Sequence, residues 1–270
     1  NKLDNLIDNE DFKLALRQTR LLKKGKNLDL DLDEISVKIF LDPVIDEDIV
    51  SYIVIVIDNS KNKKAEAMRR EFSSNVSHEL KSPLTSINGY AELIATGLAK
   101  DDDIKKFGQI INEEGKRLLN IIDDILKLSK LDEENLQEGK TIVNIKNVVD
   151  ESINRFKRIS EMKNIKVENK VCDINIKTHE SLFTDLVTNI YENAIKYNKT
   201  NGQIIIKCEK NKKNIKLIIE DRGIGIKKED LPRIFERFYV ADKQRTRTLK
   251  STGLGLSIVK HICDYLNYDI

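Results

Sequence analysis

The segment Phe72-Ser73-Ser74-Asn75-Val76-Ser77-His78-Glu79-Leu80-Lys81-Ser82-Pro83-Leu84-Thr85-Ser86-Ile87 decides the reading of this chain. Phe72, Val76, Leu80, Leu84 and Ile87 recur at steps of four and three, the apolar stripe of an amphipathic helix. With Ala91 and Ile94 the stripe predicts a helix from about 61 to 96. His78 falls opposite the stripe on a helical wheel and should face solvent. Glu79 can hydrogen-bond one nitrogen of the His78 ring, fix its tautomer and leave the other nitrogen as a nucleophile. Pro83 lies in mid-helix, where it removes the bond to the Glu79 carbonyl and bends the axis. Such a proline costs about 3 kcal/mol in an ordinary helix. An ordinary surface histidine needs no kink one turn away, so the pattern points to function.

Outward from this helix, Gly97 and Asp101-Asp102-Asp103 predict a turn. A second helix then runs to about 131, its stripe formed by Ile104, Phe107, Ile111, Leu118, Ile122, Ile125 and Leu128. Two such helices form an antiparallel hairpin that cannot hide both stripes alone; dimerisation into a two-fold four-helix bundle hides them. Before the hairpin, Ile35 to Ile57 reads as two strands, with turn chemistry at Asp42-Pro43 and Asp46-Glu47-Asp48. The preceding stretch, about 9 to 30, has room for a helix and a turn at Gly25. Asp58-Asn59-Ser60 ends the second strand and can cap the helix that follows. After a polar linker, 132–140, strands near 141–145, 165–171, 174–177, 203–209 and 214–220 alternate with helices near 146–163, 179–198, 231–236 and 253–266. That order predicts an α/β sandwich with helices on one face of a sheet.

The 270 residues suffice for two or three domains. A formal net charge of +2 from nearly balanced acids and bases argues against nucleic-acid binding, which would show a basic excess. Cys172, Cys208 and Cys263 lack ligand-like spacing and read as reduced, partly buried thiols. With three well-separated histidines, a zinc site is not expected. No leader or membrane span is visible, since the longest apolar run is far below the ~20 residues a spanning helix needs. The chain starts at Asn1 and reads as an excised cytoplasmic fragment.

Three later segments carry nucleotide chemistry. In Asn189-Ile190-Tyr191-Glu192-Asn193-Ala194-Ile195-Lys196-Tyr197, the residues Asn189, Asn193 and Lys196 share one helix face. An amide oxygen can coordinate Mg2+ and an ammonium can meet phosphate, although a solvated helix face would look the same. In Glu220-Asp221-Arg222-Gly223-Ile224-Gly225-Ile226, glycines let backbone approach a planar base and a carboxylate can accept from an exocyclic amine; many turns share this pattern. Ser251-Thr252-Gly253-Leu254-Gly255-Leu256-Ser257-Ile258 opens the last helix, where a Gly-rich turn offers free N–H groups to phosphate. Between these boxes lies Leu231-Pro232-Arg233-Ile234-Phe235-Glu236-Arg237-Phe238-Tyr239, with Pro232 suited to a first helical turn and Phe235 and Phe238 expected in the core.

The His78 segment closely resembles the phosphoacceptor box of bacterial two-component sensor histidine kinases, and the three later boxes follow in that family's order. The resemblance covers residues 61 to 268. It implies a multi-domain α+β chain: a dimeric antiparallel four-helix bundle, then an α/β sandwich ATP-binding domain of the gyrase and Hsp90 type. Residues 1–60 would be a partial PAS-like sensor segment, 61–135 the dimerisation and phosphotransfer hairpin, and 136–270 the catalytic domain, without its usual C-terminal hairpin. By resemblance His78 is phosphorylated from ATP, Glu79 assists, and Ser82 stands where the family commonly has the Thr or Asn used in phosphatase chemistry. Asn193 would hold Mg2+, with Asn189 supporting the site. Lys196 and Arg237 would contact phosphate, Tyr197 would flank the nucleotide and Asp221 would read adenine. Gly223 and Gly225 would line the base, and Thr252, Gly253, Leu254 and Gly255 the phosphates. Ser251 departs from the family's glycine, and 240–252 would be a mobile ATP lid. The implied partners are a response-regulator receiver domain and a second copy of the chain, with contact to an inner or plasma membrane only through segments preceding this one. Two rivals stand beside this reading: an ATP-driven conformational machine, which needs no such histidine, and a scaffold without kinase activity.

Overall fold

The computed structural model describes residues 8–32, 35–46, 49–132, 139–212, 214–241 and 252–270. Ser251, most of the expected lid, most of the 132–140 linker and Glu47-Asp48 of the expected turn lie outside these. The chain forms two compact units, Asn1–Val76 and Ser77–Ile270.

In the first unit, helix α1 (Glu10–Leu22) is capped by Asn9, whose side chain accepts from the amides of Asp11 and Phe12. Strands β1 (Lys26–Leu32), β2 (Ile35–Asp46) and β3 (Ile49–Asp58) form an antiparallel sheet in that order. Ala15, Leu30, Val37, Ile39 and Leu41 make its core. Two expectations are corrected. Lys26–Leu32 is a strand, because Leu28, Leu30 and Leu32 alternate at the sheet period despite the intervening aspartates. Asp42-Pro43 does not turn; Pro43 pairs with Tyr52 inside the ladder. β1 reaches only to the position opposite Leu41, so β2 is open on one side at Pro43 and tolerates its missing N–H there.

Helix α2 (Ser60–Ala95) contains Pro83, and helix α3 (Asp101–Asp132) starts with three aspartates that suit the positive end of its dipole. Tyr90 packs on Phe107 across the hairpin, ring centroids 5.0 Å apart. The stripe on α3 differs from expectation: Ile121, Leu128 and Leu131 are buried, whereas Ile122 is exposed. The last part of α3 packs against the final helix of the chain, and this contact selects Ile121 and Leu128.

The α/β part follows. Its elements are β4 (Thr141–Asn144), α4 (Ile145–Met162), β5 (Lys166–Lys170), β6 (Asn175–Thr178), α5 (Glu180–Lys196), β7 (Gln203–Lys210), β8 (Ile215–Asp221) and α6 (Gly255–Leu266). A 3-10 turn covers Leu231–Arg233 where a short helix was expected. β5 pairs in parallel with β7 and β7 antiparallel with β8, while β4 and β6 form a separate antiparallel pair. Tyr191, Ile195, Ile204, Ile206, Leu254 and Ile258 are fully buried, and α5 packs on both α6 and β8. This packing sets the nucleotide-type boxes side by side. Among the described residues no helix is long and apolar enough to cross a membrane.

Candidate active site

His78 is exposed on α2, and Ser82, one turn on, is exposed as well. Val76 and Leu80 are half-buried on the other side, but Leu84 is 49% exposed, so the stripe is not closed within one hairpin. Pro83 is buried. Glu79 turns away from the expected contact with His78: its Oε2 accepts from Arg117 of α3 at 3.1 Å. Adjacent helical residues point about 100° apart, which favours a partner on the neighbouring helix over the adjoining ring. Arg117 also lies 3.8 Å from Glu114. Its buried Nε has no partner among the described residues.

On α5 the face carrying Asn189, Asn193 and Lys196 turns toward the start of α6. A Cβ on Gly255 would sit 3.2 Å from Asn189 Oδ1 and 3.8 Å from Asn193 Nδ2, so the absent side chain lets helix start and amide face meet. Asn189 Nδ2 donates to the Asp185 carbonyl at 2.8 Å, which fixes its orientation. Lys163 donates to the Ile195 and Lys196 carbonyls at 2.9 and 2.8 Å, closing the C-terminus of α5. Burial lowers the Lys196 ammonium below the ordinary lysine range, and the nearby carboxylates of Glu192 and Asp124 oppose that shift.

The loop after β8 is fastened to the same end of α5. Asp221 Oδ1 accepts from the Gly223 amide at 2.8 Å, and the Ile224 amide donates to the Tyr197 carbonyl at 3.2 Å. Any Cβ on Gly223 would lie 2.5 Å from that carbonyl, which explains the glycine. Gly225 has φ +71°. Asp221 itself is exposed at the rim.

The Gly-rich turn is held from the opposite side. Phe238 donates its amide to the Gly253 carbonyl at 3.0 Å. Gly253 has φ +70° and would place a Cβ 2.7 Å from the Phe238 backbone. α6 begins at Gly255, two residues later than expected, and Leu254 rather than glycine fills the buried N-cap position. Phe235 and Phe238 are half-buried rather than core. Arg237 donates to His261 Nε2 at 2.7 Å, and the His261 Nδ1–H donates to the Ser257 carbonyl at 2.9 Å.

An amide face, an ammonium, the Thr252 hydroxyl and the first-turn amides of α6 thus adjoin one another. This donor set suits a nucleotide polyphosphate. Among the described residues no cluster of three His, Cys, Asp or Glu side chains is placed to hold a metal. A hard divalent cation would fit here through the Asn193 amide and the phosphates themselves.

Sequence reading missed two residues of α3 that border this site. Asp124 Oδ2 accepts from Thr252 Oγ1 at 3.2 Å, and Lys127 pairs with Asp185 of α5 at 2.9 Å. A cleft of about 330 Å³ beside them is lined by Glu113, Lys116, Arg117, Asn120 and Thr252. The signal was available for Asp124. It lies three residues after Ile121 and four before Leu128, so a carboxylate interrupts the apolar stripe. Burial pushes its pKa up to about 6, against the opposing hydrogen bond from Thr252.

Comparison with known proteins gives two family matches in tandem. The His Kinase A (phospho-acceptor) domain matches residues 68–134, and the histidine kinase-, DNA gyrase B-, and HSP90-like ATPase matches residues 178–270. The chain is 30% identical over 270 residues to the sensor-like histidine kinase SenX3 of Mycolicibacterium smegmatis, covering 96% of this chain and 70% of that protein. It is 34% identical over 246 residues to the sensor protein kinase WalK of Staphylococcus haemolyticus, covering 89% of this chain but 40% of that protein. The solved structure of histidine kinase ThkA in complex with response regulator protein TrrA shares the fold, with a TM-score of 0.56 at 22% identity over 87% of this chain and 75% of that one.

Proposed function

Since this chain belongs to the sensor histidine kinases of bacterial two-component systems, we propose that it phosphorylates its own His78 from ATP and passes the phosphoryl group to an aspartate of a response regulator. The observation that carries the reading is the pairing, in one compact unit, of an exposed histidine one turn before a helix proline with a phosphate-type site built from α5 and α6.

In the proposed step a nitrogen of the neutral His78 ring attacks the γ-phosphorus in line, and the bond to the bridging oxygen of ADP breaks. The ring's proton passes to a base, for which Glu79 is the nearest carboxylate in sequence. Arg117 holds that carboxylate in place. Lys196, the Thr252 hydroxyl and the α6 amides meet the phosphate charge as it shifts. Asp221, Tyr197, Gly223 and Gly225 receive adenine, and Asn189 supports Asn193. A divalent cation at Asn193, when bound, would offset charge on the phosphates. Arg237 serves from its station on His261. Ser82, on the same face as His78, is the candidate for returning the regulator to its unphosphorylated state.

We assign residues 1–60 to a PAS-like sensor segment, 61–135 to the phosphotransfer hairpin and 136–270 to the catalytic domain. The exposed apolar residues Leu84, Leu93, Ile104, Leu119, Ile122 and Leu126 support closure of the hairpin by a second copy into a four-helix bundle. A receiver domain is the proposed partner of the His78 face, as TrrA is of ThkA. The whole parent protein is proposed to reside at the membrane.

The test is incubation with γ-labelled ATP and Mg2+, comparing the chain with His78→Gln and Asn193→Asp. Acid-labile, alkali-stable label that disappears in both variants is expected. Label that persists in His78→Gln would reject the assigned nucleophile. Phosphate release without retained label would favour the ATP-driven machine.

A further inference from the structure

The phosphate-type groups described above already have an anionic neighbour supplied by the chain itself. Asp124 extends from the phosphotransfer hairpin, and its Oδ2 accepts the Thr252 hydroxyl at 3.2 Å. Thr252 is also the residue whose Oγ1 accepts from the Leu254 amide at 3.3 Å, at the threshold of α6. The same carboxylate lies within electrostatic reach of the Lys196 ammonium. A hydroxyl bonded to this carboxylate beside the start of α6, with an ammonium in electrostatic reach, makes a setting that a phosphate oxygen could share. The arrangement is reinforced alongside, where Lys127, one turn further along α3, pairs with Asp185 of α5 at 2.9 Å. Ile121 and Leu128 are buried on either side of Asp124, so docking of α3 on the catalytic domain and placement of the carboxylate are one event.

A solvated surface aspartate would retain its water. Asp124 instead gives up much of it for one hydroxyl and long-range attraction, a poor exchange for a carboxylate on stability grounds alone. Lys127, Glu192 and Asp123 are the other charged groups that act on it.

We propose that Asp124 is an internal competitor of the nucleotide: its carboxylate holds the phosphate-binding groups while the hairpin is docked, so ATP binding and this docking exclude one another. The inference rests on the reading of Thr252 and Lys196 as phosphate-binding residues. Entry of ATP expels Asp124, breaks the Asp124–Thr252 contact and loosens α3 from α5 and α6. The hairpin is then free to present His78. The apparent affinity for ATP is reduced by the fraction of chains that are docked.

The experiment is a calorimetric titration of the whole chain and of Asp124→Ala, Asp124→Asn and Asn193→Asp with MgATP and with adenosine. Hydrogen exchange is followed across residues 120–128. Removing the competitor should tighten ATP binding about tenfold, within the usual range of coupling between two sites, and leave adenosine binding unchanged. ATP should raise exchange across 120–128 in the wild type, whereas in Asp124→Ala, where ATP enters without expelling a carboxylate, exchange there should stay low with and without ATP. Unchanged or weaker ATP binding in both Asp124 variants, with Asn193→Asp defective as expected, would overturn the inference and leave the ATP site standing. Undiminished ATP binding in Asn193→Asp would reject the ATP-site assignment, and the inference with it.

Discussion

Replacing Lys163 with Met tests how the helix bearing Asn189, Asn193 and Lys196 is held. The Lys163 ammonium donates to the Ile195 and Lys196 carbonyls at 2.9 and 2.8 Å at the end of the helix, where Ile195 also accepts from the Asn198 amide at 3.3 Å. Each charge-assisted bond contributes about 1.5–3 kcal/mol, and a cation at a helix C-terminus adds roughly 0.3–1 kcal/mol. Burial lowers the Lys163 ammonium below the ordinary lysine range, which offsets part of this gain. Lys163 is only partly buried, so solvent screens both bonds and the net loss on substitution is discounted to about 2 kcal/mol. Met keeps the apolar stem and length, so packing changes little. In a domain of this size such a loss lowers the melting temperature by roughly 4–8 °C. Circular dichroism melts of wild type, Lys163→Met and Lys163→Arg provide the assay. ATP affinity should fall with Lys163→Met, because Lys196 and Tyr197 sit on the turn that frays. Lys163→Arg should retain most of the stability. A Met variant that melts within about 1 °C of the wild type would refute the argument that these two bonds hold the end of α5.

Asp124→Asn should change stability in a pH-dependent way. Because the folded pKa of about 6 exceeds the ordinary carboxylate value of 3.8, the folded state binds more protons between those values, and wild-type stability falls as pH rises through that window. The Asn variant should therefore be more stable than wild type by up to about 3 kcal/mol at pH 7.5 and nearly equal to it at pH 3.5; denaturant titration that shows a pH-independent difference would contradict this. Tyr191 is fully buried, its hydroxyl has no partner among the described residues and burial pushes its pKa up to about 12. Tyr191→Phe should thus leave stability unchanged or raise it by up to ~1 kcal/mol, and a loss larger than that would show that the hydroxyl is bonded. Gly253→Ala sets a Cβ 2.7 Å from the Phe238 backbone at φ +70°, so left-handed strain alone costs roughly 1–2 kcal/mol; nucleotide titration should show about a tenfold or greater loss of affinity. Pro83→Ala restores a helix hydrogen bond and should raise helicity and stability by roughly 1–3 kcal/mol, checked by circular dichroism and denaturation; an unchanged or lower stability would mean that the buried ring packs well enough to offset its break in the helix.

Much of the fold is legible because it depends on local pattern. The stripe through Phe72, Val76 and Leu80 marks α2, and alternation through Ile204 and Ile206 marks β7. The nucleotide boxes are legible for the same reason: Asn189, Asn193 and Lys196 share a face by helical geometry alone. What escaped the reading depends on contacts between distant segments. Glu79 finds Arg117 rather than His78 because α3 lies alongside, 38 residues away. Ile121 replaces Ile122 in the buried stripe because α6 packs there. β1 was overlooked because its aspartates have low strand propensity, although Leu28, Leu30 and Leu32 outvote them once a sheet is present. Asp42-Pro43 has the composition of a turn, yet the ladder with β3 continues through it.

The order of the site's parts along the chain has a consequence for synthesis. α5 presents its amide face by residue 196, but the turn and helix that meet it run from Thr252 to Leu266. At roughly 5–20 residues per second, a growing chain carries a complete hairpin and an open α5 face for several seconds before α6 emerges. Throughout that interval Leu186, Tyr191 and Ile195 lack the helix that packs beside them. His78 is therefore made long before the proposed ATP site is complete, and under the proposed mechanism the nascent chain cannot begin phosphoryl transfer until α6 has docked.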